Sequence, residues 1–341
     1  MFDTIIEKLY KSPQKTEFIL KSVDKELSIL EDNLIKSLSS GNNDLDKIVK
    51  YVFNSGGKRL RPALLLLFVK AVDNGYLCPN HFKLAEAVEM IHTASLLHDD
   101  VIDDAETRRG FLTVSKKWDS KTAIIAGDYI LSKALTKLVS TGALAVEMFA
   151  ETLNELCIGE ITQKNQSYKI ITLDEYINKS ERKTAKLFMA GVECAACITL
   201  NTNNLIIKAA RDYSLNFGIA FQIMDDILNF KGRCKKIGKP TGNDMKNGII
   251  TAPVIFAVQE YEEKGDKTLT KLFKSRLKKE KDFEKAKKLI FNSNGIEKAE
   301  LLADKYVKKA VDSLDIIENN CYKQALINLA NYAARLIKAC L

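Results

Sequence analysis

The chain is poor in the residues that interrupt regular structure, with 5 prolines and 16 glycines among 341 residues. Their usual shares are roughly 5% and 7%, so the shortage favours helices over a turn-rich β fold. Long apolar runs are also missing, since the longest, Ala63 to Val69, is far below the roughly 18 residues of a membrane span. The first residues, MFDTIIEKLYKSPQK, lack the charged-then-apolar plan of a secretion signal. We therefore expect a cytoplasmic protein that is not integral to a membrane.

Histidine is scarce, with three residues, and the seven cysteines form no regular framework. An odd number of cysteines without a secretion signal indicates reduced thiols. Basic residues exceed acidic ones by 52 to 44, for a formal net charge of +8, which nucleic acid, a membrane surface or a polyphosphate substrate can each explain. The excess lies mainly in the last third, where lysines between residues 264 and 288 alternate with acids. We interpret it as solvated helix surface and expect no nucleic-acid partner.

Apolar residues recur at the helical period through most of the chain. Leu84, Val88 and Ile91 form one such stripe, and no alternating run of useful length predicts a strand. The pattern predicts an all-α fold of about a dozen helices, given a typical helix of ~12 residues. We expect one domain over residues 1–341, with a motif-bearing core at about 50–260 and N-terminal helices of unclear role over 1–45. A glycine- and lysine-rich stretch, 231–248, breaks the pattern and is typical of a functional lid.

Two acidic turns carry the first chemical signal. In Asp99-Asp100-Val-Ile-Asp103, the first and last carboxylates lie four residues apart and share a helix face. Like charges at that spacing destabilise a bare helix, whereas Mg²⁺ prefers carboxylate oxygens and shares its shell with substrate phosphates. The second turn begins at Asp225-Asp226 in apolar surroundings, where carboxylates need a partner. Two such turns facing across a cavity predict a site for Mg²⁺ and a diphosphate.

Two basic clusters accompany the acidic turns. Residues 56–62, GGKRLRP, place glycines before clustered cations and a helix-starting proline, and Arg108-Arg109 follow the first acidic turn. Both patterns suit anion binding. Together with the acidic turns they predict two diphosphate sites, of which one binds its diphosphate through metal. Glu89-x-x-His92 matches half of a di-iron helical-bundle site, but no second such motif exists in the sequence, so we exclude that class. His92 lies two turns before Asp99 on the same face, where it can donate to a phosphate.

Four segments in this order resemble the trans-isoprenyl diphosphate synthases of the polyprenyl synthetase family: GGKRLRP, EMIHTASLLHDDVIDDAETRRG, FQIMDDILNFKG and GKPTGNDMKNGIITAP. The likeness is greatest to the medium- and long-chain members, of the octaprenyl and solanesyl type. It implies an antiparallel helical bundle around a deep central cavity, usually as a homodimer. It also implies an enzyme that joins isopentenyl diphosphate head to tail with an allylic diphosphate, farnesyl or geranylgeranyl, to give a long all-trans product.

The resemblance assigns roles to individual residues. The catalytic set is Asp99, Asp100, Asp103, Asp225 and Lys183. Asp99, Asp103 and Asp225 would bind Mg²⁺, with three ions in the full complex. Isopentenyl diphosphate would be bound by Lys58, Arg61, His92 and Arg109. The allylic diphosphate would be bound by Arg108, Lys183, Thr184, Gln222 and Lys239.

Two positions depart from the family pattern, and two others bear on product length. Asn229 stands where the second acidic motif usually ends in Asp, which would weaken the third Mg²⁺, and Asn243 stands where an acid is common. Ala94 and Ser95, five and four residues before Asp99, lie where a short prenyl tail would end, about 6–8 Å along the helix. Short-chain members carry a bulky aromatic residue there. The small side chains predict an open floor and a product of the heptaprenyl to decaprenyl class.

Three alternative functions remain. A farnesyl or geranylgeranyl diphosphate synthase would share the motifs and differ in product length. A terpene cyclase would need Ser or Thr and then Glu at the fourth and eighth positions after Asp225, where the chain has Asn229 and Arg233. A regulatory subunit of a heteromeric synthase would typically have lost the first acidic motif, which this chain retains.

Overall fold

The computed structural model describes residues 20–57, 59–231 and 242–338. Two predicted ligand residues, Lys58 and Lys239, lie outside them, as do residues 1–19 and most of the predicted lid. The structure is 77% helical, and its regular strands within the described ranges are two residues long each. The prediction of an all-α fold is confirmed.

The first half of the described chain begins with a 3-10 turn at Lys21–Val23 and continues with seven helices and a short hairpin. These elements are α1 (Asp24–Ser37), α2 (Asn43–Asn54), α3 (Leu60–Val72), α4 (Pro79–Ile102), β1 (Thr107–Arg108), β2 (Phe111–Leu112), α5 (Val114–Lys117), α6 (Ser120–Thr141) and α7 (Ala143–Asn165). The two strands pair antiparallel, with Arg108 opposite Phe111. The hairpin holds the two adjacent arginines directly after the first acidic motif.

The second half is also helical. Its elements are α8 (Leu173–Ser180), a π-helical segment (Glu181–Ala185), α9 (Lys186–Cys197), α10 (Asn204–Lys231), α11 (Asn243–Lys246), α12 (Ala252–Glu263), α13 (Thr268–Lys274), α14 (Glu280–Phe291), α15 (Gly295–Asp312) and α16 (Cys321–Lys338). No helix among the described residues is both long enough and apolar enough to cross a membrane.

Helix α3 is the central helix of the bundle. Its sequence, LRPALLLLFVKAV, is apolar on every side, and all its residues from Leu60 to Ala71 are buried, as expected for a core helix. It packs against α4, α9 and α16. Pro62 falls in the first turn, where a missing backbone N–H breaks no helical hydrogen bond. Arg59 and Arg61 therefore lie at the N-terminus of a rigid, buried element.

The π-helical segment between α8 and α9 packs closely on α10. Opposite it lies Gly218, where an added Cβ would be 2.6 Å from the Cα of Ala185. Only glycine permits this approach without displacing one helix. Such π segments are frequent at functional sites, and this one contains Lys183 and Thr184. Its wider turn and the glycine contact together set the position of these two side chains against α10.

Candidate active site

A cavity of about 390 Å³ lies where α4, α7, α8 and α10 meet the hairpin and α11. The two acidic motifs, which are far apart in sequence, both line it. The complete lining is Leu96, Asp99, Asp100, Asp103, Asp104, Ala105, Glu106, Thr107, Arg108, Gln163, Tyr176, Lys179, Ser180, Lys183, Gln222, Asp225, Asp226, Asp244, Asn247 and Ile249. The packing of α4 and α10 on common neighbours thus produces the predicted pair of facing acidic turns.

The carboxylates of the first motif repel one another in a partly dehydrated wall. Asp99 lies in the last turn of α4, and Asp103 follows the end of that helix, its N–H bonded to the Asp99 carbonyl oxygen at 2.8 Å. The pKa of Asp99 is raised to about 6, mainly by burial and also by Glu160 and Asp103, while Lys183 acts in the opposite direction. Desolvation likewise raises the pKa of Asp103. Both carboxylates would be stabilised by a cation in the cavity.

Lys183 is the basic side chain that most strongly lowers the pKa values of Asp99 and Asp103. It forms an ion pair with Glu160 of α7. Burial alone would lower the pKa of Lys183, but Asp99, Glu160 and Asp103 outweigh it, and the net pKa is raised. Lys183 therefore stays charged within the cavity, as a diphosphate ligand must.

Asp100 differs from Asp99 and Asp103 in being paired with an arginine. It is 4% exposed and accepts a forked pair of hydrogen bonds from Arg108, Nε to Oδ1 at 2.9 Å and Nη2 to Oδ1 at 2.7 Å, with Nε also 3.0 Å from Oδ2. Such bidentate pairs are the stronger and more directional ion pairs. The pair joins α4 to the hairpin, so Asp100 holds Arg108 at the cavity wall.

In the second motif, Asp225 and Asp226 are both buried. Asp226 accepts hydrogen bonds from the hydroxyl of Tyr176 at 2.6 Å and from Nε2 of Gln222 at 2.8 Å. Burial raises the pKa of Asp226, while Tyr176, Lys179 and Gln222 act in the opposite direction. Asn229 does not line the cavity, and its backbone carbonyl accepts from the N–H of Gly242 at 2.9 Å.

Thr184 and Gln222, both predicted ligands of the allylic diphosphate, differ in accessibility. Gln222 lines the cavity, whereas Thr184 is fully buried and does not. The Thr184 hydroxyl donates to Oε1 of Gln222 at 2.7 Å. In this arrangement Thr184 supports Gln222 from behind.

The predicted isopentenyl diphosphate residues form a second, basic cluster. His92 is buried, and its pKa lies well below the usual value because of burial first and then of Arg61, Arg109, Arg108 and Arg59. The imidazole is therefore neutral and surrounded by guanidinium groups. Arg61 lies over the ring of Phe188, 4.4 Å from its centroid.

Glycine and glutamate shape this basic cluster. An added Cβ at Gly57 would lie 2.7 Å from Nη1 of both Arg109 and Arg59, so a larger residue there would displace both arginines. Glu89, which suggested half of a di-iron motif, instead pairs with Arg59, Nη1 to Oε1 at 2.8 Å, in a buried ion pair. The structure thus brings Arg61, His92 and Arg109 together.

A smaller cavity of about 50 Å³ adjoins this cluster. Arg59, Arg109 and Thr93 line it, and it shares Leu96, Asp100 and Arg108 with the large cavity. The acidic cavity and the smaller cavity beside the basic cluster therefore have part of their walls in common. Two anions, one on each side, would both lie close to Arg108.

Several residues at the cavity were not predicted from the sequence. Gln163, Tyr176, Lys179 and Asp244 line it, and Glu160 pairs with the lining residue Lys183. Lys179 precedes Lys183 by four residues, a helical spacing that could have indicated a shared face. Asp244 is next to Asn243, which departs from the family pattern. Burial, and then Asp226, raise the pKa of Asp244 to about 7. Its carboxylate oxygens have no hydrogen-bond partner within the ranges described above. No sequence signal marked the remaining residues.

The carboxylates fit Mg²⁺ in the way that this ion usually binds. Within residues 20–57, 59–231 and 242–338, no group of three or more His, Cys, Asp or Glu side chains is already arranged to hold a metal ion. Mg²⁺ takes one or two carboxylates and completes its shell with water and substrate phosphates. Dehydrated, mutually repelling carboxylates at Asp99 and Asp103, with Asp225 lining the same cavity, meet that requirement.

The two residues predicted to set product length lie on α4 below the acidic motif. Ala94 is 2% exposed. Ser95 is half-buried, and its hydroxyl donates to the carbonyl oxygen of His92 at 2.9 Å. Neither side chain is large enough to block a path along the helix.

An all-α bundle with two acidic turns in one cavity and a basic cluster beside it is an arrangement suited to two anionic groups, one of them bound through metal. The chain belongs to the polyprenyl synthetase family, whose sequence profile matches residues 42–290.

Individual relatives agree with this membership. A decaprenyl-diphosphate synthase of Dictyostelium discoideum is 36% identical over 93% of this chain and 72% of its own. The crystal structure of heptaprenyl diphosphate synthase from Staphylococcus aureus superposes with a TM-score of 0.86 at 30% identity, covering 92% of this chain and 98% of that one. A polyprenyl synthase from Caulobacter crescentus, solved with calcium and isoprenyl diphosphate, gives a TM-score of 0.85 at 29% identity, with 93% and 97% coverage.

Proposed function

We propose that this protein is a Mg²⁺-dependent trans-prenyltransferase that condenses isopentenyl diphosphate, 1'-4 and head to tail, with an allylic diphosphate such as farnesyl or geranylgeranyl diphosphate. The observation that supports the proposal is the shared wall between an acidic cavity, suited to a metal-bound diphosphate, and a smaller cavity beside the basic cluster, suited to a free one. Leu96, Asp100 and Arg108 line both cavities. Two substrates held in this way would have their carbon chains close enough to react.

The allylic diphosphate would occupy the large cavity. Lys183, Arg108 and Gln222 line it and would contact phosphate oxygens, and Asp99, Asp103 and Asp225 would hold the metal. Mg²⁺, when bound, supplies positive charge that stabilises the departing diphosphate. The carbon–oxygen bond then breaks with its electron pair on the diphosphate, leaving an allylic carbocation that the apolar part of the bundle shields from water.

Isopentenyl diphosphate would bind at the basic cluster. Arg61 and Arg109 supply guanidinium groups and neutral His92 supplies one N–H, and we keep Lys58 in this set as a prediction. The isopentenyl double bond donates its electron pair to the carbocation and forms the new carbon–carbon bond. The proton that is then lost goes to the released diphosphate. The protein thus supplies binding and charge, and no protein group needs to act as the general base.

A long product is supported by the small residues below the metal site. Ala94 and Ser95 present a methyl and a hydroxymethyl group where a short-chain enzyme needs a bulky floor. We therefore propose a product of the heptaprenyl to decaprenyl class.

A homodimer is supported by exposed apolar side chains on α6 and α7. Ile125 and Val139 of α6 are 62% and 68% exposed, and Ile161 of α7 is 60% exposed. Such residues on two adjacent helices form a surface that a second copy of the chain would cover. We propose that α6 and α7 form the dimer interface.

The test is an assay of the purified protein with isopentenyl diphosphate, farnesyl diphosphate and Mg²⁺. Chromatography of the dephosphorylated products should show prenols of seven to ten isoprene units, as expected from the proposed product class. Farnesyl or geranylgeranyl products would refute the long-chain proposal alone. A cyclic hydrocarbon would indicate a terpene cyclase, and no product would favour a regulatory subunit.

A further inference from the structure

A continuous chain of hydrogen bonds runs from α8 to the π-helical segment through α10. The hydroxyl of Tyr176 donates to Oδ2 of Asp226 at 2.6 Å, and Nε2 of Gln222 donates to Oδ1 of the same carboxylate at 2.8 Å. Oε1 of Gln222 then accepts from the hydroxyl of Thr184 at 2.7 Å. Of these four residues, Tyr176 and Thr184 are fully buried and Asp226 is 3% exposed. Gln222 is the member that is most open to the cavity.

The contacts give the direction of this chain. The NH₂ group of Gln222 faces the carboxylate of Asp226, and the carbonyl oxygen of Gln222 faces the hydroxyl of Thr184. The Asp226 carboxylate also accepts from the hydroxyl of Tyr176, so two donors converge on it. The NH₂ group carries two N–H donors. One is bonded to Asp226, and the second can serve a group in the cavity that Gln222 lines. The amide is thus held with a donor towards the position of the allylic diphosphate.

Tyr176 is suited to hold Asp226 in place. Burial, and then Asp226 itself, raise the pKa of Tyr176 well above the usual value, so the hydroxyl retains its proton and remains a donor. Its ring lies on α8, one turn from Lys179 and two turns from Lys183. The contact therefore joins the helix that leads into the π segment to the carboxylate on α10.

We propose that Tyr176 is a positioning residue for the allylic substrate: it holds Asp226, and Asp226 holds the amide of Gln222 in the orientation that binds the allylic diphosphate. The inference rests on the proposed function, because it names the substrate that Gln222 contacts. It gives Asp226 a role distinct from that of Asp225, since both Asp226 oxygens are already bonded to protein donors. It also explains why a fully buried tyrosine hydroxyl borders this cavity.

The test compares Tyr176→Phe with a matched control, Tyr213→Phe. Tyr213 is also fully buried, and its hydroxyl donates to the carbonyl oxygen of Leu326 at 2.9 Å, outside the cavity lining. Each variant loses one buried hydroxyl. Because the bond lost in Tyr176→Phe has a charged acceptor, the KM for the allylic diphosphate should rise at least about tenfold. The KM for isopentenyl diphosphate should change less than about twofold in both variants.

A second variant, Asp226→Asn, tests the same hydrogen-bond chain without changing the shape of the side chain at 226. An amide at 226 can donate as well as accept, so Gln222 loses its enforced orientation and the allylic KM should rise similarly. Because both residues act through one chain, the double variant should be no worse than the poorer single one. Asp226→Asn also decides the question if Tyr176→Phe does not fold.

The outcomes separate this inference from the proposed function. Wild type and Tyr213→Phe that form no prenyl product would refute the proposed function. If both are active, an unchanged allylic KM in Tyr176→Phe and Asp226→Asn would overturn the positioning role alone. Equal increases in both KM values would also overturn it, because they would indicate a general structural defect.

Discussion

Replacing Asp99 with asparagine should make the folded protein more stable while removing a ligand on which turnover depends. The pKa of Asp99 is about 6 in the folded protein, against 3.8 for an ordinary aspartate, because of burial and then of Glu160 and Asp103. Each pH unit of such a difference corresponds to about 1.4 kcal/mol. Ionised Asp99 therefore destabilises the metal-free fold by about 3 kcal/mol at neutral pH. The neutral amide of Asp99→Asn would avoid this cost and leave Lys183 paired with Glu160.

The pH dependence of the free energy of unfolding shows whether the ionisation of Asp99 causes this difference in stability. Between pH 3.8 and about 6, the folded state holds a proton on Asp99 that the unfolded state has released. Wild-type stability therefore falls as pH rises through this window, and the full penalty is present above it. The stability advantage of Asp99→Asn should accordingly increase by about 2 kcal/mol between pH 4.5 and pH 7.5.

Urea unfolding of both proteins with a chelator present, at several pH values between 4.5 and 7.5, measures the stability difference between Asp99→Asn and wild type. The control is Asp32→Asn, which changes an exposed carboxylate on α1. Its stability difference from wild type should stay constant over the same range. An advantage of Asp99→Asn that does not grow with pH would refute the argument that buried like charges destabilise the metal-free site.

Three further expectations concern turnover and product. Asp103→Ala should lower kcat at saturating Mg²⁺ by about 10²–10³, the usual effect of losing one preorganised charge contact; near-normal turnover would mean that Asp103 is not a metal ligand. Arg61→Ala should mainly raise the KM for isopentenyl diphosphate and Lys183→Ala that for the allylic substrate, each by at least about tenfold, and equal effects on both substrates would contradict the division into two sites. Ala94→Phe should shorten the main product to about three or four isoprene units, measured by prenol chromatography, because a ring there closes the path about one turn below Asp99; an unchanged product would show that the floor lies elsewhere.

Much of the fold could be predicted because it depends on local patterns. The apolar stripe of α4 and the scarcity of breakers indicate helices without any knowledge of tertiary contacts. The acidic motifs are also local, so the facing of Asp99 and Asp225 required only the assumption of one shared cavity. The number of domains stays a prediction.

The remaining features depend on contacts between distant segments. Asp100 and Arg108 both looked like parts of the ligand site, yet they bond to each other, because the hairpin turns the arginine back onto α4. Glu160 lies in a helix without any motif, and only the packing of α7 brings it to Lys183. The π-helical segment packs against Gly218 of α10, a contact that no local pattern reveals.

Helix α4 carries three residues with proposed roles at fixed intervals, and this constrains how such an enzyme can change. His92 and Asp99 share one face two turns apart, and Ala94 lies between them in the sequence on a different side of the helix. The proposed sites of the second substrate, the tail and the metal are therefore set at fixed distances along one rigid helix. At about 1.5 Å and 100° per residue, inserting a single residue between His92 and Asp99 would turn the metal ligand away from the cavity. A larger or smaller side chain at 94 leaves that register intact. Single substitutions at position 94 can therefore change product length while the chemistry of the site stays the same.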